Sequence, residues 1–519
     1  MPPSFYRIVF LQACFLALTS ASPAPRPNAV GPRDPLITPS LVEYSPSPTR
    51  QEKRGVVSDL TSELDSAWGK ATSGVAGFFQ GWPTGDAVAS SLGLRSSDLA
   101  ALPTNVLNLD PYANWTSSGW NVRFHGNVYK QPNTSTADLN KLANKFLIGT
   151  DITSLPPDQQ DQARNVTAEI FVVQQGGVNV STIHLEPAAS QGSSGQPGGG
   201  GAVTATGGTQ DVTLPYATTR EGDFDVFLPI KSNGLTAGNA TQSIQRLNTH
   251  VEGATLGNAT AYLVPETGFT IVSDIDDILR VTKIYDPAQG ILNSFAKPYT
   301  PWENMPSIYA NWSASIPNMH FHYLTTTPEQ ATRNYMQYIY STYPGGSFDT
   351  RPLNFSDVAA TLSIRKFLLV KIFQTFPRRK FILVADTSNS DVMRDYPQMA
   401  IDYPNQVQCI FLRNTTATDP SDHFPYDTAG FKNLNQQMYM FFLHPNDLTN
   451  LDIQNGQCYN HSIPQNLTFG YQGLPFGVNT GSGGNSSGSG GKTGTAPASG
   501  ARVGMVVLAA LAAAVCVFL

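Results

Sequence analysis

Charge is scarce in this chain. Asp, Glu, Lys and Arg make up 13% of its 519 residues, about half the share in an ordinary globular domain. The formal net charge is −6, and no basic stripe with interleaved aromatics runs through the chain. A protein built to hold a nucleic-acid backbone is thereby excluded. A Gly-rich Walker loop is missing too, which excludes a P-loop NTPase. Cysteine is nearly absent, with four residues in all. Cys14 and Cys516 lie in terminal apolar segments, which leaves Cys409 and Cys458. Two such ligands are too few for a metal centre. They are either one disulfide or two buried thiols, and an oxidising compartment favours the disulfide. Apolar residues are plentiful at 40%, enough for a sizeable core in a chain longer than one domain usually needs.

Two apolar segments stand at the ends and look like addresses. "MPPSFYRIVFLQACFLALTSASPAP" has one Arg, an apolar run and small residues around Ala21, the pattern of a secretory signal peptide over 1–21. Met505 to Leu519 is an apolar tail, short of the about 20 residues that span a bilayer. It follows a Gly/Ser spacer, and no basic cluster comes after it. Segment 481–519 thus has the layout of a GPI-anchor signal, with attachment between Asn485 and Ser499. The expected location is the extracellular face of the plasma membrane or the cell wall, on a membrane surface through the anchor. Glycosylation sequons fit that route: Asn114, Asn133, Asn165, Asn179, Asn239, Asn258, Asn311, Asn354, Asn414, Asn460 and Asn466, with Asn485 in the spacer. Segment 22–54 is Pro-rich, aperiodic and ends at Lys53-Arg54. A kexin-type protease could cut there and release a propeptide, or the pair is simply solvated charge. Such processing signals fit a fungal surface protein.

Patterning divides the rest. Segment 55–111 has apolar residues at mixed three and four spacing, which predicts helix. Segment 112–262 predicts strands, as in "GWNVRFHGNVYKQ", where Trp120, Val122, Phe124 and Val128 alternate with one break near Gly126. An antiparallel β-sandwich-like domain is expected there, interrupted by the flexible "SQGSSGQPGGGGAVTATGGT". Over 263–448, apolar strands ("FTIVSDI", "MHFHYLTTTP", "RRKFILVADTSNSD", "NQVQCIFLRN") alternate with helices ("PEQATRNYMQYIYSTYP", "AATLSIRKFLLVKIFQTFP"). That predicts an α/β domain with a parallel sheet. A C-terminal extension, 449–480, precedes the spacer.

In parallel sheets ligands collect at the carboxyl ends of strands, and there this sequence puts its polar groups. Asp274, Asp276 and Asp277 follow "FTIV", Thr325 follows "FHYL", and Asp386 follows "FILVA", with Asp391 five residues on. Carboxylates crowded at one edge are most simply held together by Mg²⁺, which takes oxygen ligands and substrate phosphate. One member of a D-x-D pair can attack phosphorus while the other serves as acid and base. Thr325 could cap the next helix and bind phosphate at the same N-terminus. His320 and His322 share a strand face but lack a third ligand, so they are core or surface residues.

"SDIDDI", "FHYLTTTP", "YPGGSFDTRPLNFSD" and "IRKFLLVKIFQTFPRRKFILVADTSNSD" resemble the actin-patch phosphatidate phosphatase family, a branch of the haloacid dehalogenase (HAD) superfamily. The resemblance implies an α/β HAD-like Rossmannoid catalytic domain and Mg²⁺-dependent phosphatase activity. It makes Asp274 the nucleophile, Asp276 the acid/base, Thr325 and Lys366 the phosphoryl-holding groups, and Asp274, Asp276, Asp386 and Asp391 the acidic metal set. The Asp276 carbonyl also faces the ion. Lys371 and Arg365 compete with Lys366 for the cation role, and Asp277 is a local structural carboxylate. Two departures stand out: Ile278 where the family tends to have Thr, and "ADTSN" where it tends to have G-D-S-G-E. The implied substrate is phosphatidate or a related phosphomonoester. The alternative is a catalytically weakened HAD-fold structural or binding glycoprotein of the cell surface. Convergence of Asp274, Asp276, Thr325, Lys366 and Asp386 would favour the enzyme, and Lys366 held away from Asp274 the alternative.

Overall fold

The computed structural model describes residues 86, 88–89, 92–144, 146–147, 149–188, 202–242, 244–351, 358–422, 426–465 and 469–472. The expected signal peptide, propeptide and anchor signal lie outside the described residues, as do Asn354, Asn466 and Asn485.

The first unit is a ten-stranded mixed sheet, mostly antiparallel. Its strands are β1 (Asn105–Asn108), β2 (Tyr112–Thr116), β3 (Gly119–Lys130), β4 (Val173–Gln174), β5 (Ile183–Pro187), β6 (Ala202–Thr204), β7 (Gln210–Val212), β8 (Asp223–Pro229), β9 (Ile244–Val251) and β10 (Asn258–Val264). Two pairings, β2 with β10 and β6 with β9, are parallel. Strand β3 is buried almost throughout. Trp120, Val122, Phe124 and Val128 point into the unit's own core, while Asn121, Arg123, His125 and Asn127 are buried too, on the alternate positions. The break at Gly126 has a steric cause: a Cβ there would come within 2.0 Å of the Leu107 carbonyl oxygen.

Two expectations are corrected here. The segment expected to be helical holds α1 (Ser96–Ala101) but also β1, which pairs with β3. The segment expected to be β-rich is so, but two helices absent from that expectation interrupt it, α2 (Thr136–Ala143) and α3 (Pro157–Ile170). Pro157 stands in the first turn of α3, and Ala163, Val166, Thr167 and Ile170 form its buried stripe at helical spacing. With α4 (Pro287–Phe295) these helices enclose a separate apolar cluster of Phe146, Ile152, Ile170, Ile291 and Phe295.

The second unit is a six-stranded, all-parallel sheet of Rossmann-like layout in the order β13-β12-β11-β14-β15-β17. Its strands are β11 (Phe269–Ser273), β12 (Met319–Pro328), β13 (Ser347–Arg351), β14 (Lys380–Asp386), β15 (Val407–Arg413) and β17 (Tyr439–Phe442); a small β16 (Tyr426–Asp427) pairs elsewhere. Between them come α5 (Met305–Ser315), α6 (Glu329–Thr342), α7 (Val358–Thr375) and α8 (Ser390–Asp402). Alternating residues feed the two faces: Ile271, Phe321, Ile382 and Phe411 one core, Val272, Leu383, Ile410 and Leu412 the other. Strand order reverses at β11, the place where such sheets open a ligand crevice.

Charged groups join the two units. Arg123 of β3 meets Asp349 of β13 at 2.5 Å and Asp225 of β8 at 2.8 Å. Lys371 of α7 reaches the same Asp225 at 2.5 Å. His322 Nε2 stands 3.2 Å from Asp349. Burial works against the Asp349 carboxylate, but Arg123, His322 and His125 together outweigh it and hold the group well below the usual range. His320 and His322 are fully buried. Cys409 and Cys458 are joined as a disulfide, Cα to Cα 5.5 Å, tying β15 to the C-terminal extension.

Among the sequon asparagines, Asn133, Asn165, Asn179, Asn239 and Asn311 are exposed. Asn114 corrects its expectation: it is buried in β2, its amide donating to the Thr375 carbonyl at 3.3 Å, and a folded protein cannot present it for glycosylation.

Candidate active site

Register brings the expected residues to one edge. Ser273 stands opposite Tyr323 on one side and Val384 on the other. Asp274, Thr325 and Asp386 therefore emerge within two residues of the same line across three adjacent strands. All three are buried. The register of β12 is irregular between Leu324 and Pro328, where Thr325 to Thr327 leave the sheet, and Thr325 Oγ1 accepts from the Thr327 amide at 3.1 Å.

Asp274 is anchored twice. Its amide donates to Val384 at 2.8 Å, and its Oδ1 accepts from the Ile275 amide at 3.0 Å. Arg365 Nη2 lies 3.0 Å from Asp274 Oδ2. Burial pushes the Asp274 carboxyl up to about 6, against the pull of Arg365, and the charge of Asp276 adds to the rise. Arg365 Nε and Nη1 are buried with no hydrogen-bond partner among the described residues, a costly arrangement unless an anion completes it.

The cation is a correction. Lys366 does not reach the site: its Nζ lies 3.2 Å from Asp402 and its side chain is 40% exposed, the placement expected of the weakened alternative, but the competing Arg365 stands 3.0 Å from Asp274 in its stead. Successive helical residues point about 100° apart, so one register along α7 the neighbouring Arg365 turns inward. Lys371, the other competitor, is committed to Asp225.

The turn after β11 is tight. Asp277 takes φ +57°, and its carboxylate accepts from the amides of Thr282, Lys283 and Ile284 at 3.0, 2.8 and 3.1 Å. It holds the loop, as a structural carboxylate would. Burial raises it to about 6. Ile278, the departure from the family pattern, is fully buried in the core beneath the turn. Asp276 Oδ1 accepts from Arg280 Nε at 2.9 Å, Arg280 Nη2 at 2.7 Å and Thr282 Oγ1 at 2.8 Å.

Asp386 Oδ1 accepts from the Ser388 amide at 2.8 Å, from the Ser388 hydroxyl, and from Thr415 Oγ1 at 3.1 Å. Burial raises Asp386 to about 6, and the nearby charge of Asp274 adds to it. Asn389 caps α8, accepting from the Asp391 amide at 3.1 Å. Asp391 is paired with Arg394 at 3.0 Å.

Among the described residues no group of three or more His, Cys, Asp or Glu is placed to hold a metal ion. The expected set of four is thus not assembled around one point: Asp276 is engaged by Arg280 and Asp391 by Arg394. Asp274 and Asp386 remain as two oxygen donors, the charge of Asp274 raising the cost of ionising Asp386. That pair fits Mg²⁺, which is commonly held by one or two carboxylates completed by water and substrate phosphate.

Residues 269–414 match the phosphatidate phosphatase APP1 catalytic domain. The matched stretch begins with β11 and ends one residue past β15, so it contains Asp274, Thr325, Arg365 and Asp386. The chain is also similar to the phosphatidate phosphatase APP1 of Saccharomyces cerevisiae, with 28% identity over 160 residues. That similarity covers 30% of this chain and 27% of the yeast protein's length. It is confined to a part of each, and the mixed sheet lies outside the family match.

Sequence reasoning missed Arg280 and Arg413. Arg413 ends β15 and donates to the Asp277 carbonyl at 2.7 Å. Its place at a strand end, like that of Asp386, was a usable signal. Arg280 follows Asp276 by four residues, a spacing that suggests pairing on a helix but gives none outside one.

Proposed function

We propose that this chain is a phosphomonoesterase working through an aspartyl-phosphate, with phosphatidate as its first candidate substrate. The observation that carries the proposal is the pairing of Asp274 with a half-satisfied Arg365 beside Asp386, within the segment matching the APP1 catalytic domain.

In the first step an Asp274 oxygen bonds to phosphorus while the bond to the leaving oxygen breaks. That oxygen takes a proton from Asp276 and departs as an alcohol. Arg365 donates its unpartnered N–H groups to the phosphoryl oxygens, and Thr325 adds a hydroxyl. In the second step a water attacks phosphorus, its proton passes to Asp276, and phosphate leaves with Asp274 regenerated. Mg²⁺ would be held by Asp274, Asp386 and the Asp276 carbonyl, and when bound it supplies charge neutralisation for the entering phosphate.

The proposed route is secretory, with glycans on exposed asparagines such as Asn133 and Asn239 and a GPI anchor at the outer membrane surface, and its support is the pattern of the terminal segments and sequons alone. An extracellular phospholipid or another phosphomonoester is then the substrate in reach.

The test is phosphate release by purified protein from a panel of phosphomonoesters including phosphatidate, with Mg²⁺, with EDTA, and with Asp274→Asn. Mg²⁺-dependent release abolished by Asp274→Asn is expected. A folded protein releasing nothing from any ester would overturn the proposal in favour of a catalytically weakened surface glycoprotein.

A further inference from the structure

Arg280 is a buried charged side chain beside the site whose Nη1 has no hydrogen-bond partner among the described residues. It is 2% exposed. Two of its nitrogens, Nε and Nη2, donate to a single oxygen of Asp276 at 2.9 and 2.7 Å. Its guanidinium carbon lies 4.4 Å from the Tyr335 ring centre and 5.1 Å from the Tyr299 ring centre. Burying a guanidinium is expensive, and two aromatic faces with two charge-assisted hydrogen bonds to one carboxylate oxygen offset part of that cost. The main chain joins in: Asp276 and Arg280 form a bridge, and the Asp277 amide donates to the Arg280 carbonyl at 2.9 Å.

The consequence for Asp276 is geometric. Three donors converge on Oδ1, counting Thr282 Oγ1 at 2.8 Å. The carboxyl plane is therefore fixed, and Oδ2 is the oxygen left to meet a substrate. A free Asp has two soft torsions and would sample several orientations. Acid catalysis requires hydrogen-bond reach to one particular oxygen.

We propose that Arg280 is a positioning residue for leaving-group protonation, holding Asp276 in the orientation that serves the scissile oxygen. The inference rests on the aspartyl-phosphate reading above. Arg280 itself touches no reacting atom. Its effect should scale with how much the leaving group needs a proton. A nitrophenolate departs without one, whereas an alkoxide does not.

The experiment compares kcat/KM, which covers steps up to the aspartyl-phosphate, for p-nitrophenyl phosphate and for glycerol 1-phosphate. Wild type, Arg280→Gln, Arg280→Lys, Thr282→Val and Asp276→Asn are measured with Mg²⁺, each with its Tm. Arg280→Gln should lose about 10–100-fold on the alkyl ester, part of the 10²–10⁴ that acid catalysis supplies, and less than about threefold on the nitrophenyl ester. Asp276→Asn should show the same selectivity, larger. Arg280→Lys should recover part of the loss, and Thr282→Val, which removes one donor to the same oxygen, should lose less than Arg280→Gln. If Arg280→Gln does not fold, Arg280→Lys and Thr282→Val carry the comparison. Equal losses on both esters, or no loss on the alkyl ester, would overturn the inference while leaving the phosphatase reading intact. If Asp274→Asn retains wild-type rates on both esters, the reading itself fails.

Discussion

The Arg365 guanidinium and the Asp274 carboxylate meet at 3.0 Å with side chains 1% and 5% exposed, while Lys366, the next residue, faces solvent. The sharpest prediction follows from that contrast. Arg365→Ala should lower kcat/KM by about 10²–10³-fold, the scale of one electrostatic donor in a dry site. Lys366→Ala should stay within about twofold, because an exposed ion pair contributes little. Steady-state kinetics on one ester settles it, and a larger loss for Lys366→Ala would contradict the placement.

Metal binding should be visible without turnover. Mg²⁺ that binds the native state raises Tm through mass action. Wild type is expected to gain a few degrees at saturating Mg²⁺, and Asp386→Asn to gain none. Differential scanning fluorimetry reads both, and a gain retained in Asp386→Asn would place the ion elsewhere.

The buried carboxyls set a pH signature. Asp277 is raised to about 6 by burial, above the about 4 of an unfolded chain. The native state then holds more protons between those values, so this group's stabilising contribution is full below about pH 4 and lost as pH rises through about 6. Buried histidines such as His125 and His320, whose pKa burial lowers, act with the opposite sign. The difference between wild type and Asp277→Asn removes that background. Denaturant midpoints should show the wild type losing more stability than Asp277→Asn from about pH 4.5 to about 6.5. The excess should be roughly 2 kcal/mol, since one proton held only by the native state weighs about 1.4 kcal/mol for every pH unit crossed.

The ion network between the two units should matter for stability rather than chemistry. Asp349 is fully buried against Arg123. Asp349→Ala leaves Arg123 with Asp225 alone and takes the carboxylate from its Nη1, and should cost about 1–3 kcal/mol. Urea unfolding measures it, and a cost below about 1 kcal/mol would mean that water reaches the seam.

The disulfide joins residues 49 apart. Closing a loop of that length restricts the unfolded chain by about 4 kcal/mol. The Cys409→Ala/Cys458→Ala variant should unfold earlier in denaturant by that amount, with the site geometry unchanged.

The carboxyl end of each parallel strand was legible because hydrophobic runs, broken abruptly by Asp or Thr, are a local pattern. Asp274, Thr325 and Asp386 could be picked out for that reason, as could the α/β alternation around them. Helices α2 and α3 were not: they are largely polar, and α3 is held by packing on α2 and on α6 and α4, both more than a hundred residues later. Asn114 looked like any other sequon, since a three-residue motif carries no record of burial.

The sequence by itself determined which residues end the strands, because burial of a parallel strand demands an unbroken apolar run and its end needs none. Only the tertiary structure decided which cation faces Asp274 and what Asp276 is bound to. Arg365 and Lys366 are equivalent in a sequence, and a helix's rotation about its axis is set by the sheet it packs on. Arg280 meets Asp276 because a left-handed residue, Asp277, folds the chain back between them, and that contact belongs to the turn, not to the spacing.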